Sequence, residues 1–290
     1  RAYRLRILNG SNARTYKLAW SNGMPVQVIG SDGGLLPAVE RRSYVMLMPG
    51  ERIAVWADFS SSARKQVVLR SLAFDPMGGM GGTGGGGGGM GGRGPGPGGG
   101  GGGGGMGSTN LPMGTAVDIM TLSIGRRASV KPALGPLPPL SMVYNASNVP
   151  NFNTPRPFTL EVQQMVWTIN GRVYEMEGVA DDEIVHLGET MAWEWVNNSP
   201  IPHPMHVHNV QFQVLGRTAP ATSSYATINQ GLVDSGWKDT VLVWPGERVK
   251  IAMHFGPHAG MYMYHCHILE HEDMTMMRNY MIMDSGMPGM

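Results

Sequence analysis

Between Gly78 and Gly107, twenty-three of thirty residues are glycine. Such a segment buries too little apolar surface to offset its ordering entropy, so it reads as a disordered surface loop. Whatever folds must be built from the residues on either side, and both sides read as β. YRLRILNGS, RTYKLAW, PVQVIGSDGG, ERIAVWADF and KQVVLRSL are short segments of period-two or mixed patterning, punctuated by N-G, D-G and P-G. The strand signal resumes at AVDIMTLSIG, which makes the glycine run an insertion within the first domain rather than a linker. FTLEVQQMVWTING, ETMAWEWVN, VQFQVLGR, DTVLVWPGERVKIAMHF, GMYMYHCHI and NYMIMD supply the later strands, with a short helical turn expected around 271–277. The fold class is therefore all-β, as two packed sandwiches. The expected division is a first domain over 1–128 with its glycine-rich loop at about 76–110, a linker over 129–150 around the Pro-rich KPALGPLPPL, and a second domain over 151–290.

Two domains of ordinary size fit within 290 residues. With 22 basic and 21 acidic residues and no basic stripe, the charge argues against nucleic-acid binding. A single cysteine excludes an intrachain disulfide and leaves a free thiol or a metal ligand. No run of eighteen apolar residues suggests a membrane span. No signal peptide is visible at the opening RAYRLRILNG, and such a start says nothing about export, because part of a longer product can precede it.

All nine histidines and Cys266 lie after residue 185. Seven of these ten ligand-type residues fall in two tight clusters, HPMHVH (His203, His206, His208) and HCHILEH (His265, Cys266, His267, His271). On a strand, His206 and His208 share a face, while His203 precedes Pro204 and can turn away. The same alternation puts His265 and His267 opposite Cys266. Zinc accepts His and Cys, but it does not account for a cysteine facing away from its neighbouring histidines. A cysteine, two histidines and a weak axial methionine make a blue-copper electron-transfer site. His203, Cys266 and His271 supply the strong ligands and Met276 is the candidate axial one, which leaves His206, His208, His265 and His267 facing a different site.

At this point the chain resembles the second and third cupredoxin domains of a three-domain multicopper oxidase, of the laccase and periplasmic cuprous oxidase family. The third domain of that family carries HPxHxH and HCHxxxHxxxxM, and both stand here unbroken, as HPMHVH and HCHILEHEDMTM. GWKDTV at 236–241 and the ending LEHEDMTMM add to the likeness, which covers nearly all of 1–290 apart from the glycine run. The resemblance implies two cupredoxin-like Greek-key sandwiches, the first copper-free and incomplete at its N-terminus. It also implies that His203, Cys266, His271 and Met276 hold a type 1 copper, His206 a type 2 copper, and His208, His265 and His267 the type 3 pair. The implied activity is a copper-dependent oxidase that couples one-electron oxidation of phenolic or aromatic reductants, or of Cu(I), to reduction of O2 to water. The implied location is periplasmic or secreted.

Glu272, directly after a type 1 ligand, matches an acid held to relay protons in relatives, and Asp273 stands next to it. Asp239 is a candidate for the surroundings of the ligands or the substrate side. His186, His254 and His258 fall outside the motifs and read as structural or surface residues. Met77, Met80, Met90, Met106 and Met113 dot the glycine loop or its edges and could recruit Cu(I), which soft thioethers favour, or simply space the chain. The family's cluster takes eight histidines, four of them from two His-x-His pairs of the first domain, and no further His-x-His pair stands here. The expected partner is therefore an N-terminal cupredoxin domain, as a separate chain or fragment. The alternative is a type 1 copper electron-transfer or copper-binding module without oxidase activity, which has no need of His206, His208 and His267.

Overall fold

The computed structural model describes residues 1–76, 111–126, 133–220 and 222–284. The glycine-rich run lies outside the described residues, as do its expected disorder and Met77, Met80, Met90 and Met106. The described residues hold eighteen strands in four sheets.

The first two sheets each have four strands. One orders β1 (Ala2–Leu8), β6 (Arg52–Asp58), β3 (Val26–Ser31) and β4 (Gly34–Arg42). The other orders β5 (Val45–Leu47), β2 (Tyr16–Trp20), β7 (Gln66–Ser71) and β8 (Val117–Ser123). Val28 and Val55 from one sheet meet Leu18, Val45 and Leu69 from the other in a single buried cluster, so the two form a sandwich.

The next two sheets have five strands each. The first runs β10 (Val166–Ile169), β9 (Arg156–Gln163), β12 (Thr190–Asn197), β16 (Arg248–His254), β14 (Phe212–Thr218). The second runs β11 (Ile184–His186), β18 (Met277–Met283), β17 (Gly260–Cys266), β13 (His203–Val207), β15 (Thr240–Val243). Their shared core is aromatic: Phe158, Trp193 and Trp195 from one sheet pack on Tyr264 from the other, with ring centroids between 5.2 and 5.9 Å apart across the sheets. Fully burying side chains of this size contributes roughly 1.5–3 kcal/mol each. Cys266 and Met276 are buried in the same cluster, so the thiol and the thioether sit inside a dry core.

Two local features depart from the sequence reading. FTLEVQQMVWTING reads as one strand, but it folds back on itself at Gln164 and Met165, whose φ values are 49° and 69°. Gln163 pairs with Val166 across that turn. Tight hairpins of this kind usually announce themselves with Asn-Gly or Asp-Gly, and this one uses two ordinary side chains in the left-handed region. The helical turn lies at Leu269–Asp273, two residues earlier than its expected start.

The sandwiches meet over a mixed surface. Met46 and Met48 of the first pack with Tyr225, Leu242 and Trp244 beyond it in a separate apolar cluster. Beside it, Lys238 Nζ lies 3.2 Å from both Asp32 Oδ2 and Glu51 Oε1, with the Lys238 side chain 3 % exposed. Breaking a buried ion group by removing one partner leaves uncompensated charge and costs about 3–5 kcal/mol. Lys238→Met is therefore expected to lower unfolding free energy by about that amount in urea titrations. An unchanged midpoint with an unchanged slope would show that these charges are solvated and do not clamp the sandwiches together.

Candidate metal centres

The ligands are distributed by one strand pairing. β13 runs antiparallel to β17, with Met205 opposite Cys266 and His206 opposite His265. The pleat then sends alternate side chains to opposite faces of the sheet. β17 ends at Cys266, and the chain turns through the short helix Leu269–Asp273, which brings His271 back beneath the strand. Backbone bonds close that loop: Met276 N–H donates to the His271 carbonyl at 2.9 Å, and Cys266 N–H donates to the Met276 carbonyl at 3.1 Å.

Two groups of metal-capable side chains result among the described residues, His203–Cys266–His271 and His206–His208–His265. In the first, Cys266 Sγ lies 3.5 Å from Nδ1 of both His203 and His271, and the two Nδ1 atoms are 3.2 Å apart. The centre of that triangle is about 2 Å from each corner, the length of a bond from a first-row metal to imidazole or thiolate. His203 and Cys266 are wholly buried and His271 nearly so. Nε2 of His203 lies 2.7 Å from Ser199 Oγ, and Ser199 donates to Asn197 Oδ1 at 2.8 Å, which leaves the serine oxygen to accept from Nε2–H. This anchor fixes the tautomer that leaves Nδ1 free to ligate. The donor set suits copper: two imidazole nitrogens and a cysteine sulfur, with Met276 fully buried in the same core. Trp167 lies over the pair, its ring 4.3 Å from that of His271 and 5.2 Å from that of His203.

In the second group, His208 Nε2 and His265 Nε2 are 3.1 Å apart. His206 Nδ1 donates to the Asp239 carbonyl at 2.8 Å, so Nε2 is its free nitrogen. His265 Nδ1 stands 3.0 Å from the Cys266 carbonyl and 3.3 Å from Glu272 Oε2. Glu272 is thus placed against a ligand on the side away from its neighbours. Asp239 accepts from Arg52 at 2.7 and 2.6 Å. Burial alone would push its carboxyl up, but the hydrogen bonds from His206 and Arg52 outweigh that and hold it well below the usual carboxylate range.

His267 stands apart. Its ring centroid is 5.5 Å from that of His265 and 5.6 Å from that of His206, and its ligand atom does not join the three-histidine group. It follows the last residue of β17, so strict alternation no longer governs it. Its ring packs instead on Gly50 of the first sandwich. His186, His254 and His258 are exposed and lie outside both groups, His254 within 3.1 Å of Thr190 Oγ1. Met113 is exposed too. Ser199, Trp167, Arg52 and Gly50 gave no sequence signal: Trp167 stands 104 residues from His271, Arg52 187 from Asp239 and Gly50 217 from His267, and Ser199 is an unremarkable loop serine.

The imidazoles are held ready to ligate. Burial lowers His203 well below its usual value, His271 to about 4 and His265 to about 3, and it also lowers His208 and His267. In the unfolded chain these rings take up protons near pH 6.5. Below that pH the unfolded state binds more protons than the folded one, so stability falls as pH drops through 6.5 toward 4. The metal-free chain is expected to show a melting temperature that declines steadily from pH 7 to pH 5. A flat profile over that interval would contradict the burial of these rings in neutral form.

Residues 148–286 match the multicopper oxidase family. Over 96 % of its length the chain is 33 % identical to a laccase of Bacillus stratosphericus, and it covers 50 % of that protein. It is 32 % identical to the bilirubin oxidase of Albifimbria verrucaria, covering 44 % of it. Among solved structures it is similar to the McoA multicopper oxidase of Aquifex aeolicus, with a TM-score of 0.74 and 30 % identity over 97 % of this chain and 55 % of that one. The chain thus spans about half the length of the relatives it matches. The family match, the paired histidine motifs and the buried His–Cys–His triangle all fall within residues 148–286, and over that stretch the chain is similar to the multicopper oxidases.

Proposed function

We propose that this chain is a copper-binding electron-transfer module of an oxidase, with one complete type 1 site and one half-built histidine cluster. The observation that carries this reading is the buried triangle of His203, Cys266 and His271, closed on itself and anchored by Ser199. Copper held there supplies a one-electron redox couple. The protein excludes water from the site, fixes both imidazoles, and offers a thin wall to the outside at His271 and the half-buried Trp167. An aromatic reductant or Cu(I) would give up its electron at that wall. Cys266 is bonded directly to His265 and His267, so the first site and the cluster are joined by single residues of backbone.

A specific observation favours a second, fuller reading. An electron carrier has no use for His206, His208 and His265 held within 4.8 Å of one another. With a further cupredoxin domain supplying the remaining histidines, Met276 as axial ligand, His206 on the type 2 copper and His208, His265 and His267 on the type 3 pair, the assembly would reduce O2 to water. In that assembly Glu272 would hand protons toward His265. The two cupredoxin-like Greek-key domains, the first of them copper-free, and an exported or periplasmic setting belong to the same proposal. No helix among the described residues is long and apolar enough to cross a membrane.

The chain loaded with copper and given a one-electron reductant under air is expected to lose an intense blue absorption after one electron per molecule, with no sustained oxygen uptake. Sustained uptake by the chain alone would overturn the module reading. Loaded protein without a blue band would overturn the type 1 site.

A further inference from the structure

The same four-residue turn occurs once in each sandwich, as Pro49-Gly50-Glu51-Arg52 and as Pro245-Gly246-Glu247-Arg248. The two copies are locally alike. Gly50 and Gly246 both have positive φ, 81° and 73°. In each, the glutamate accepts from the backbone three residues back, Glu51 from Met48 N–H at 2.8 Å and Glu247 from Trp244 N–H at 2.7 Å. The copies differ in what surrounds them. Glu247 serves its own sandwich, accepting from Tyr225 and Arg217. A Cβ on Gly246 would meet only Pro220, at 3.4 Å. A Cβ on Gly50 would stand 2.3 Å from Cδ2 of His267.

The rest of the first copy is turned the same way. Arg52 grips the Asp239 carboxylate with two nitrogens, and the carbonyl of that same residue accepts from His206 Nδ1. Glu51 holds Lys238, the residue before Asp239. The neighbouring turn adds to the grip: Gly33 N–H and Ser31 Oγ donate to the Trp237 carbonyl at 2.8 and 2.9 Å. Segment 237–239 is therefore clamped by the first sandwich on one side and carries His206 on the other.

We propose that the Pro49–Arg52 turn is the positioning element of the histidine cluster, in which Arg52, through Asp239, sets the ring of His206, while Gly50 sets the ring of His267 beside it. This rests on reading the cluster as a metal site. It assigns to the sandwich without histidines a direct part in building a site made wholly of the other sandwich's side chains. The second copy of the turn touches no ligand directly; its backbone holds Asn197, with Gly246 N–H donating to the Asn197 carbonyl at 2.8 Å, on the Ser199 side of His203. Arg52 is a positioning residue, acting through Asp239, and its flat bidentate grip is not reproduced by a lysine's single charge.

The test is ring nitrogen–proton NMR on the metal-free chain, followed by copper titration, for the unmodified protein, Arg52→Met, Arg52→Lys and Gly50→Ala. Arg52→Met is expected to lose the His206 Nδ1–H signal to solvent exchange, Arg52→Lys to keep it in part, and Gly50→Ala to move the ring signals of His267. Signals of His203 and His271 stay in place in all three. In the titration, copper beyond the first equivalent binds roughly 10–100-fold more weakly to Arg52→Met, as for other losses of a ligand's hydrogen-bonding support, while the first equivalent is unaffected. Unchanged His206 and His267 signals in Arg52→Met and Gly50→Ala would overturn the proposal. So would equal changes at His203 and His271, which mark general loosening. Ring shifts as expected in a chain that binds a single copper uphold the positioning and sink the reading of the cluster as a metal site.

Discussion

The register between two antiparallel strands governs this molecule. With Met205 opposite Cys266 and His206 opposite His265, the pleat sorts a crowded set of ligands into two groups a single residue apart. A slip of one position would put Cys266 among the second group's histidines and leave His203 and His271 without a thiol. The register is held by burial: Met205, Val207, Tyr264 and Cys266 all sit in the aromatic core and cannot trade faces with the half-exposed His206 without stranding apolar surface in water. The core that stabilises the second sandwich is thus also what separates two sites of different chemistry.

The two sites are supported in different ways. The first is supported mostly from within one sandwich, where His203 leans on Ser199, His271 lies under Trp167, and the loop from Cys266 to Met276 is closed by backbone bonds, with one tie to the other sandwich from Leu269 N–H to the Asn12 carbonyl. The second depends on the junction between sandwiches. Asp239 is pinned by Arg52, Lys238 by Asp32 and Glu51, and His267 lies on Gly50. Charges buried at such a junction are costly unless every one is paired, and here the pairing places the strand that carries the partner of His206. This gives a physical reason for a sandwich without histidines to accompany one that holds them all.

Much of this was legible in the sequence, for identifiable reasons. Strand segments show in their alternation, and the division of HCH between two faces follows from the pleat alone. The His–Cys–His grouping is visible because its members are close in sequence or sit in a compact motif. What the sequence does not show is either unsignalled locally or distant. The hairpin at Gln164–Met165 lacks the glycine that usually marks one, and without it the approach of Trp167 to His271 is invisible. His267 escapes the alternation because its strand has already ended. Arg52 and Asp239 are 187 positions apart, and nothing in PGER says which of its two copies faces a ligand.

One complete His–Cys–His site suited to copper lies buried in this chain. X-ray absorption at the copper edge, on chain loaded with one equivalent, tests it most directly. The expected first shell has two imidazole nitrogens and one short sulfur contact, with the sulfur lost in Cys266→Ser. A shell of nitrogen and oxygen alone would place the copper among the other histidines and contradict a copper site at Cys266.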